Sequence, residues 1–363
     1  MVKRFRRSAA GYDEQLPSDI RPPSVLQRTL DYLINEVVGG PQPLASVHKF
    51  VWDRTRGIRN DFSIQQVTKI EDLRIAIDCF ERIARFHILS LHQLSSSDRD
   101  NGEFNHYQER EQLNNTLLSL MYYYDDSRHK LRSPNEAEFR AYCIIFEIQD
   151  QRPDLEDRAQ QWPRSLLLDR RVQTALKLYA AAGNTSDEQG PLRPRAPFAI
   201  AQANPGGFWD LVQSNAVSYT MACVTEIYFN LVRKVALEAI WKAYKGKRAG
   251  PTKMEDWILA DLTLALGFDS EDQTQSYVEE HGFLVAENDN DQVYINLGSV
   301  SSKHLTGQSF HPKIRNRVVK AVQIQIHGES KCSRSISSRR KGSAGLYQRL
   351  STGSLRHKHR IGG

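Results

Sequence analysis

Between residues 233 and 253 the sequence places seven cations, Arg233, Lys234, Lys242, Lys245, Lys247, Arg248 and Lys253, with Glu238 the one acid among them. Lysine and arginine at that density neutralise phosphates, so the chemistry to expect is sequence-blind binding of nucleic acid through its backbone. A second cluster, Arg54, Arg56 and Arg59 beside Trp52, suits a phosphate or the carboxylates of a partner protein. Asp53 and Asp61 in the same stretch also offer internal pairing, and both readings stand. His87 and His92 have no Cys, His or carboxylate at metal-ligand spacing, so His87 reads as a core histidine and no metal site is expected. Tyr122, Tyr123 and Tyr124 suit base stacking, or packing with two rings inside and one outside, which is the reading preferred. The sequence has no Gly-x-x-x-x-Gly-Lys loop, no Gly-x-Ser-x-Gly elbow and no His-Glu-x-x-His pair. The expectation is therefore a binding protein with no catalytic residues and no cofactor; a metal-independent enzyme acting on nucleic acid is the alternative from another class.

Composition agrees with a globular chain: 363 residues, 40% hydrophobic and 25% charged. The net charge of +6 is unevenly placed. From His327 onward nine Lys or Arg face one acid, Glu329, so the remainder of the chain is close to neutral. That tail is rich in serine and poor in apolar residues, which predicts disorder. It offers salt-sensitive phosphate affinity, or a nuclear import signal at Arg339-Arg340-Lys341, or no dedicated role at all. Cys79, Cys143, Cys223 and Cys332 are scattered singly, which suits a reducing compartment. There is no apolar run of spanning length and no secretory pattern, so the protein is expected to be neither secreted nor membrane-spanning.

The elements that must position these residues are helical. After Pro22-Pro23, Ser24 and Gln27 have capping-box spacing, and Val25, Leu26, Leu30, Leu33, Ile34 and Val37 recur at helical period up to Gly39-Gly40. Leu73, Ile77, Phe80, Ala84, His87, Leu91 and Leu94 mark a longer helix. Further helical patterns occupy about 107–126, 136–150, 166–182, 207–215 and 219–245, with a Pro- and Gly-rich loop over 183–207. Seven or more successive amphipathic helices predict an all-α repeat array. Beyond Gly246 the texture changes. Thr252 and Glu255 open a helix carrying Trp257, Ile258, Leu262 and Leu266; Ser270 and Gln273 open another that ends at Gly282. Phe283–Glu287 and Gln292–Leu297, split by Asn288-Asp289-Asn290-Asp291, predict a hairpin, so that helix, helix, hairpin reads as the back half of a winged helix. Its would-be recognition helix carries Glu271, Asp272, Glu279 and Glu280 and no Lys or Arg, which argues against reading a DNA groove and for docking a protein. The apolar hairpin residues Leu284, Val285, Tyr294 and Ile295 are the expected partner contacts.

Several runs together resemble the SAC/GANP family of nuclear messenger-RNA export scaffolds: Pro23-Ser24-Val25-Leu26-Gln27-Arg28-Thr29-Leu30-Asp31-Tyr32-Leu33, His48-Lys49-Phe50-Val51-Trp52-Asp53-Arg54-Thr55-Arg56-Gly57-Ile58-Arg59-Asn60-Asp61, Arg85-Phe86-His87-Ile88, Glu136-Ala137-Glu138-Phe139-Arg140-Ala141-Tyr142, and Tyr228-Phe229-Asn230-Leu231-Val232-Arg233-Lys234-Val235-Ala236-Leu237. The resemblance implies a PCI-type architecture, a TPR-like helical-repeat array capped by a C-terminal winged helix. The expected domains are then a disordered arm over 1–22 and a basic disordered tail over 301–363, both read from composition, flanking the repeat domain over 23–245 and the winged helix over 246–300 that the resemblance implies. It also implies a nuclear, non-enzymatic scaffold that binds a PCI-type partner, the small acidic DSS/Sem-type subunit, and messenger RNA or DNA without sequence preference. Family scaffolds carry nucleoporin-like repeats ahead of the shared region and a further long helix behind it. Neither is seen in these residues, so association with the nuclear pore is not expected of this stretch by itself. A PCI-type subunit of another assembly, splicing-linked or proteasome-lid-like, is the alternative.

Overall fold

The computed structural model describes residues 2–5, 17–95, 104–148, 155–182, 205–244, 256–288 and 290–298. These fall into two units, Met1–Phe139 and Arg140–Ser333.

In the first unit, a 3-10 turn at Pro17–Asp19 leads to α1 (Pro23–Asp31), a π-helical stretch (Tyr32–Val38), α2 (Leu44–Gln65), α3 (Ile70–Leu94) and α4 (His106–Ser127); α5 (Glu136–Phe146) carries the chain across the boundary. Helix α1 starts with Pro23 in its first turn after an extended Pro22 and has no side-chain cap, so the expected Ser24 capping box does not form. The single helix expected over residues 24–37 changes pitch at Tyr32, and its last turn closes with the Gly39 N–H donating to Ile34 O at 2.9 Å. Helix α3 is the axis of the unit. It is buried on all sides from Cys79 to His92, against Leu26, Leu30 and Leu33 of the α1 segment, Val51, Ile58 and Phe62 of α2, and Leu113, Leu117 and Leu120 of α4.

Burying a helix all round takes its polar residues inside, where each needs a partner. Glu81 accepts bonds from Tyr124 Oη (2.7 Å), Ser133 Oγ (2.7 Å) and Asn135 Nδ2 (2.6 Å). Arg82 reaches Asp31 at 2.6 Å, and Arg85 forms a two-pronged pair with Glu138 at 3.0 and 2.8 Å. Burial raises the Glu81 carboxyl above its ordinary range, with the three donors opposing the shift.

The second unit continues with α6 (Leu155–Gln160), α7 (Arg164–Leu167), α8 (Arg170–Ala182), α9 (Pro205–Gln213), α10 (Tyr219–Glu226), α11 (Phe229–Tyr244), α12 (Leu259–Leu266), α13 (Glu271–Glu280), β1 (Leu284–Glu287) and β2 (Val293–Asn296). Two helices expected to be continuous are split. The stretch 166–182 breaks at Asp169, whose carboxylate accepts the Arg171 N–H at 2.9 Å. The stretch 219–245 breaks at Ile227-Tyr228: Thr225 Oγ1 bonds back to Met221 O, and Tyr228 Oη is anchored on Phe146 O at 2.5 Å. Trp257 and Ile258, expected in a helix, instead run alongside β2; the Ile295 N–H donates to Trp257 O at 3.1 Å and Ile258 bridges Tyr294. The Ser270 cap forms as read from sequence, its hydroxyl accepting the Gln273 N–H. Helices α11, α12 and α13 and the hairpin enclose one core of Leu237, Trp241, Leu262, Leu266, Tyr277, Val278, Phe283 and Ile295. The described residues thus form an all-α array with a small antiparallel hairpin at its end.

Candidate partner-docking and nucleic-acid surfaces

Helix α2 buries Val51, Thr55, Ile58 and Phe62 along one face, and Arg54, Arg56 and Arg59 beside it are each half-buried. Each has found company. Arg54 pairs with Asp53 and lies 4.6 Å over the Phe50 ring. Arg56 is sandwiched, 4.6 Å from Trp52 and 4.1 Å from Phe5. Arg59 donates to Gln112 of α4. Burial pulls the Arg59 guanidinium down to about 10, helped by Arg56 and opposed by Glu109, so it stays charged at neutral pH. Asp61 does not serve this cluster: it takes Arg21 Nε at 2.7 Å and Lys3 Nζ at 3.7 Å. Internal pairing therefore holds for Arg54 with Asp53, and not for any of the three with Asp61.

The expectation of a disordered arm fails for its first residues. Val2–Phe5 lies on α2: the Phe5 N–H donates to Asp53 Oδ2 at 3.2 Å and Lys3 Nζ to Asp19 O at 3.0 Å. Gly57 makes room for it, since a Cβ there would meet Lys3 O at 3.3 Å. Residues 6–16 lie outside the described set.

Beneath the same helix is a cluster that spacing gave no means of finding. Glu109 of α4, 1% exposed, accepts from His87 Nδ1 at 2.7 Å and from His48 Nε2 at 3.0 Å. Burial holds the fully enclosed His87 imidazole below its ordinary pKa, against the pull of Glu109. Burial likewise works to raise the Glu109 carboxyl, yet the two imidazoles together hold it below its usual range. This is an ionised carboxylate clamped by two rings, a polar pin between α2, α3 and α4. Among the described residues no group of three or more His, Cys, Asp or Glu is arranged to hold a metal ion.

In the second unit the expected phosphate-binding cluster must be corrected at its first member. Arg233 is fully buried: its Nε donates to Leu266 O and its Nη2 to Gly267 O, both at 3.1 Å, and its guanidinium lies 3.8 Å from the Phe268 ring. A side chain so enclosed cannot touch a phosphate. Lys234 is half-buried on α11, and Lys242 stands near the C-terminal end of that helix. Lys245, Lys247, Arg248 and Lys253 lie outside the described residues, as do the Thr252–Glu255 cap and the tail 301–363.

The four hairpin residues separate onto two faces. Val285 pairs with Ile295, and Ile295 is fully buried in the core that the hairpin shares with α11, α12 and α13, with Val285 packed against it. Ile295 is therefore not a partner contact. Leu284 opposes Asn296 and Tyr294 opposes Ala286, on the other face, where Leu284 is 65% exposed. On α13, Glu271, Asp272, Glu279 and Glu280 are all exposed. Tyr122 is exposed, Tyr123 half-buried and Tyr124 buried against Glu81. No described helix is long and apolar enough to cross a membrane.

Comparison with known proteins extends over both units. SAC3 family protein 1 of Schizosaccharomyces pombe is 42% identical over 302 residues, covering 83% of this chain and 28% of that protein. Protein xmas of Drosophila melanogaster is 28% identical over 293 residues, 79% of this chain and 13% of its own length. SAC3 family protein B of Arabidopsis thaliana is 28% identical over 291 residues, 78% of this chain and 15% of its own. The chain thus spans little more than a quarter, at most, of these relatives. The family model described as SAC3/GANP family matches residues 1–287, from the arm on α2 through β1, and with it the chain belongs to the SAC3/GANP family.

Proposed function

We propose that this chain is a non-enzymatic scaffold subunit of a nuclear complex that couples transcription to messenger-RNA export. It holds a PCI-type partner and the small acidic DSS/Sem-type subunit, and it contacts RNA through cations on and after α11. The observation that carries the reading is the family match over residues 1–287. The geometry supports a docking role. The hairpin closes its own core with Ile295 and turns Leu284 outward, with the half-buried Tyr294 on the same face, while the exposed acids of α13 disfavour a nucleic-acid groove at that helix. The phosphate-binding set in this reading is Lys234, Lys242, Lys245, Lys247, Arg248 and Lys253, without Arg233.

The test is capture of the full chain from nuclear extract with mass spectrometry of what it retains. Recovery of a PCI-type protein with a small acidic subunit, lost when Leu284→Glu and Tyr294→Glu are combined in a chain of unchanged helicity, is the expected outcome. Recovery of splicing or proteasome subunits in their place would replace the assembly, and retention of the partner by the double variant would move the interface off the hairpin.

A further inference from the structure

The connection between α4 and α5 carries chemistry that a docking role leaves unused. Ser133-Pro134 is the only place in the 363 residues where a serine or threonine precedes a proline. Residues 131–133 belong to no helix or strand, and around the half-buried Ser133 the residues His129, Lys130, Arg132 and Pro134 are exposed. Pro134 disfavours helical geometry at Ser133 and offers no N–H of its own. Protein kinases bind their acceptors extended and sort them by the charges alongside. A serine with cations one and three residues before it and a proline after it therefore fits a proline-directed kinase as phosphoryl acceptor.

The same hydroxyl is a structural contact. Ser133 Oγ donates to Glu81 Oε1 of α3 at 2.7 Å and accepts the Asn135 N–H at 3.2 Å, just ahead of α5. Glu81 is 3% exposed, and Tyr124 Oη of α4 donates to the same carboxylate oxygen at 2.7 Å, so Glu81 keeps a partner when the connection lifts and bares the hydroxyl. In the transfer, the Ser133 hydroxyl gives its proton to a base of the kinase and Oγ bonds the γ-phosphorus of ATP; the bond from that phosphorus to the bridging oxygen breaks, and ADP leaves. The product has no O–H to donate and carries a charge of about −1.5 to −2. Back in its place it would set that charge against the Glu81 carboxylate, while the exposed Lys130 and Arg132 draw it outward. We infer that Ser133 is a phosphorylation site of a proline-directed kinase, and that its phosphate loosens the start of α5 on α3. Arg85 and Glu138 still pair across the same two helices, so the start of α5 loosens without unfolding. The inference rests on neither the partner nor the RNA reading above.

The test treats the full chain with ATP and a purified cyclin-dependent kinase and locates the phosphate by mass spectrometry. Phosphate on Ser133 is expected, lost in Ser133→Ala and severalfold slower to appear in Pro134→Ala. Hydrogen exchange then compares the parent, the phosphorylated parent and Ser133→Ala, which lacks the donor but adds no charge. The Glu138 and Phe139 N–H groups close the first turn of α5 on Asn135 O. They should exchange about tenfold faster in the phosphorylated chain than in the parent, with Ser133→Ala in between. No phosphate on Ser133, or incorporation indifferent to Pro134→Ala, overturns the site. A phosphorylated chain that exchanges no faster than Ser133→Ala overturns the loosening by charge.

Discussion

At the scale of single residues, the strongest constraints are buried ionisable groups that found partners far away in sequence. His87 shows the limit of reading spacing. Its place on an apolar stripe of α3 correctly puts it in the core, but its partner Glu109 lies on another helix, and no local pattern links them. Because burial depresses the His87 pKa, the unfolded chain takes up a proton near the ordinary value of 6.5 that the folded chain resists. Stability is therefore whole above that pH and falls as pH drops below it; the depressed Glu109 adds a second loss as pH falls through the carboxylate range. His87→Gln keeps a donor for Glu109 and removes the titration. Its urea midpoint should change less between about pH 7.5 and 5.5 than the parent's, by an amount equivalent to about 1 kcal/mol. Glu109→Ala leaves His48 and His87 facing each other near Arg59 and should cost about 3 kcal/mol at pH 7. Equal pH slopes for parent and His87→Gln would show that the imidazole does not carry the dependence.

Among elements, α11 illustrates a cation that sequence logic assigns to the wrong task. Arg233 stands one residue from Lys234 in a basic run, which is what a phosphate surface looks like in one dimension. In the fold it points inward, and its guanidinium ties α11 to the turn that ends α12, at Leu266 O and Gly267 O. That turn needs its glycine twice over, for a φ of +64° and because a Cβ would stand 2.4 Å from the Trp209 ring. Arg233→Met preserves the stem and should lower unfolding free energy by about 2–4 kcal/mol by stranding two carbonyls. Gly267→Ala should be at least as damaging, by about 3 kcal/mol or more. Thermal unfolding monitored by Trp fluorescence would measure both, since Trp209 borders the turn; a melting point unchanged in Arg233→Met would show that the carbonyls find other donors. The helix starts and stops that sequence does reveal are those written in local chemistry, such as the Ser270 cap and Gly267. Those it hides depend on distant anchors, as when the hold of Phe146 O on Tyr228 helps divide α10 from α11.

Across the whole molecule, charge is segregated by sequence position, and this part of the reading needs no structure. The net +6 resides after His327, while the residues before it are nearly neutral. What sequence could not supply is which of the remaining cations stay available. Arg54, Arg56 and Arg59 are engaged by Asp53, Phe5, Trp52 and Gln112, and Arg233 is sealed in a core. The arm on α2 is illegible in the sequence for a related reason: a short segment shows no periodicity, and its hold comes from residues some fifty positions downstream, such as Asp53. If the remaining cations contact RNA phosphates, affinity must follow salt through counterion release. Reversing Lys245, Lys247 and Arg248 to Glu should lower the slope of log affinity against log salt by about 2, since each single-strand phosphate contact contributes about 0.7. Arg233→Lys, judged on the fraction still folded, should leave that slope where it was, because a buried cation releases no counterions. A salt titration by fluorescence polarisation separates the two: a slope that drops with Arg233→Lys as much as with the triple reversal would return Arg233 to the binding surface and contradict its enclosure between Phe268, Leu266 and Gly267.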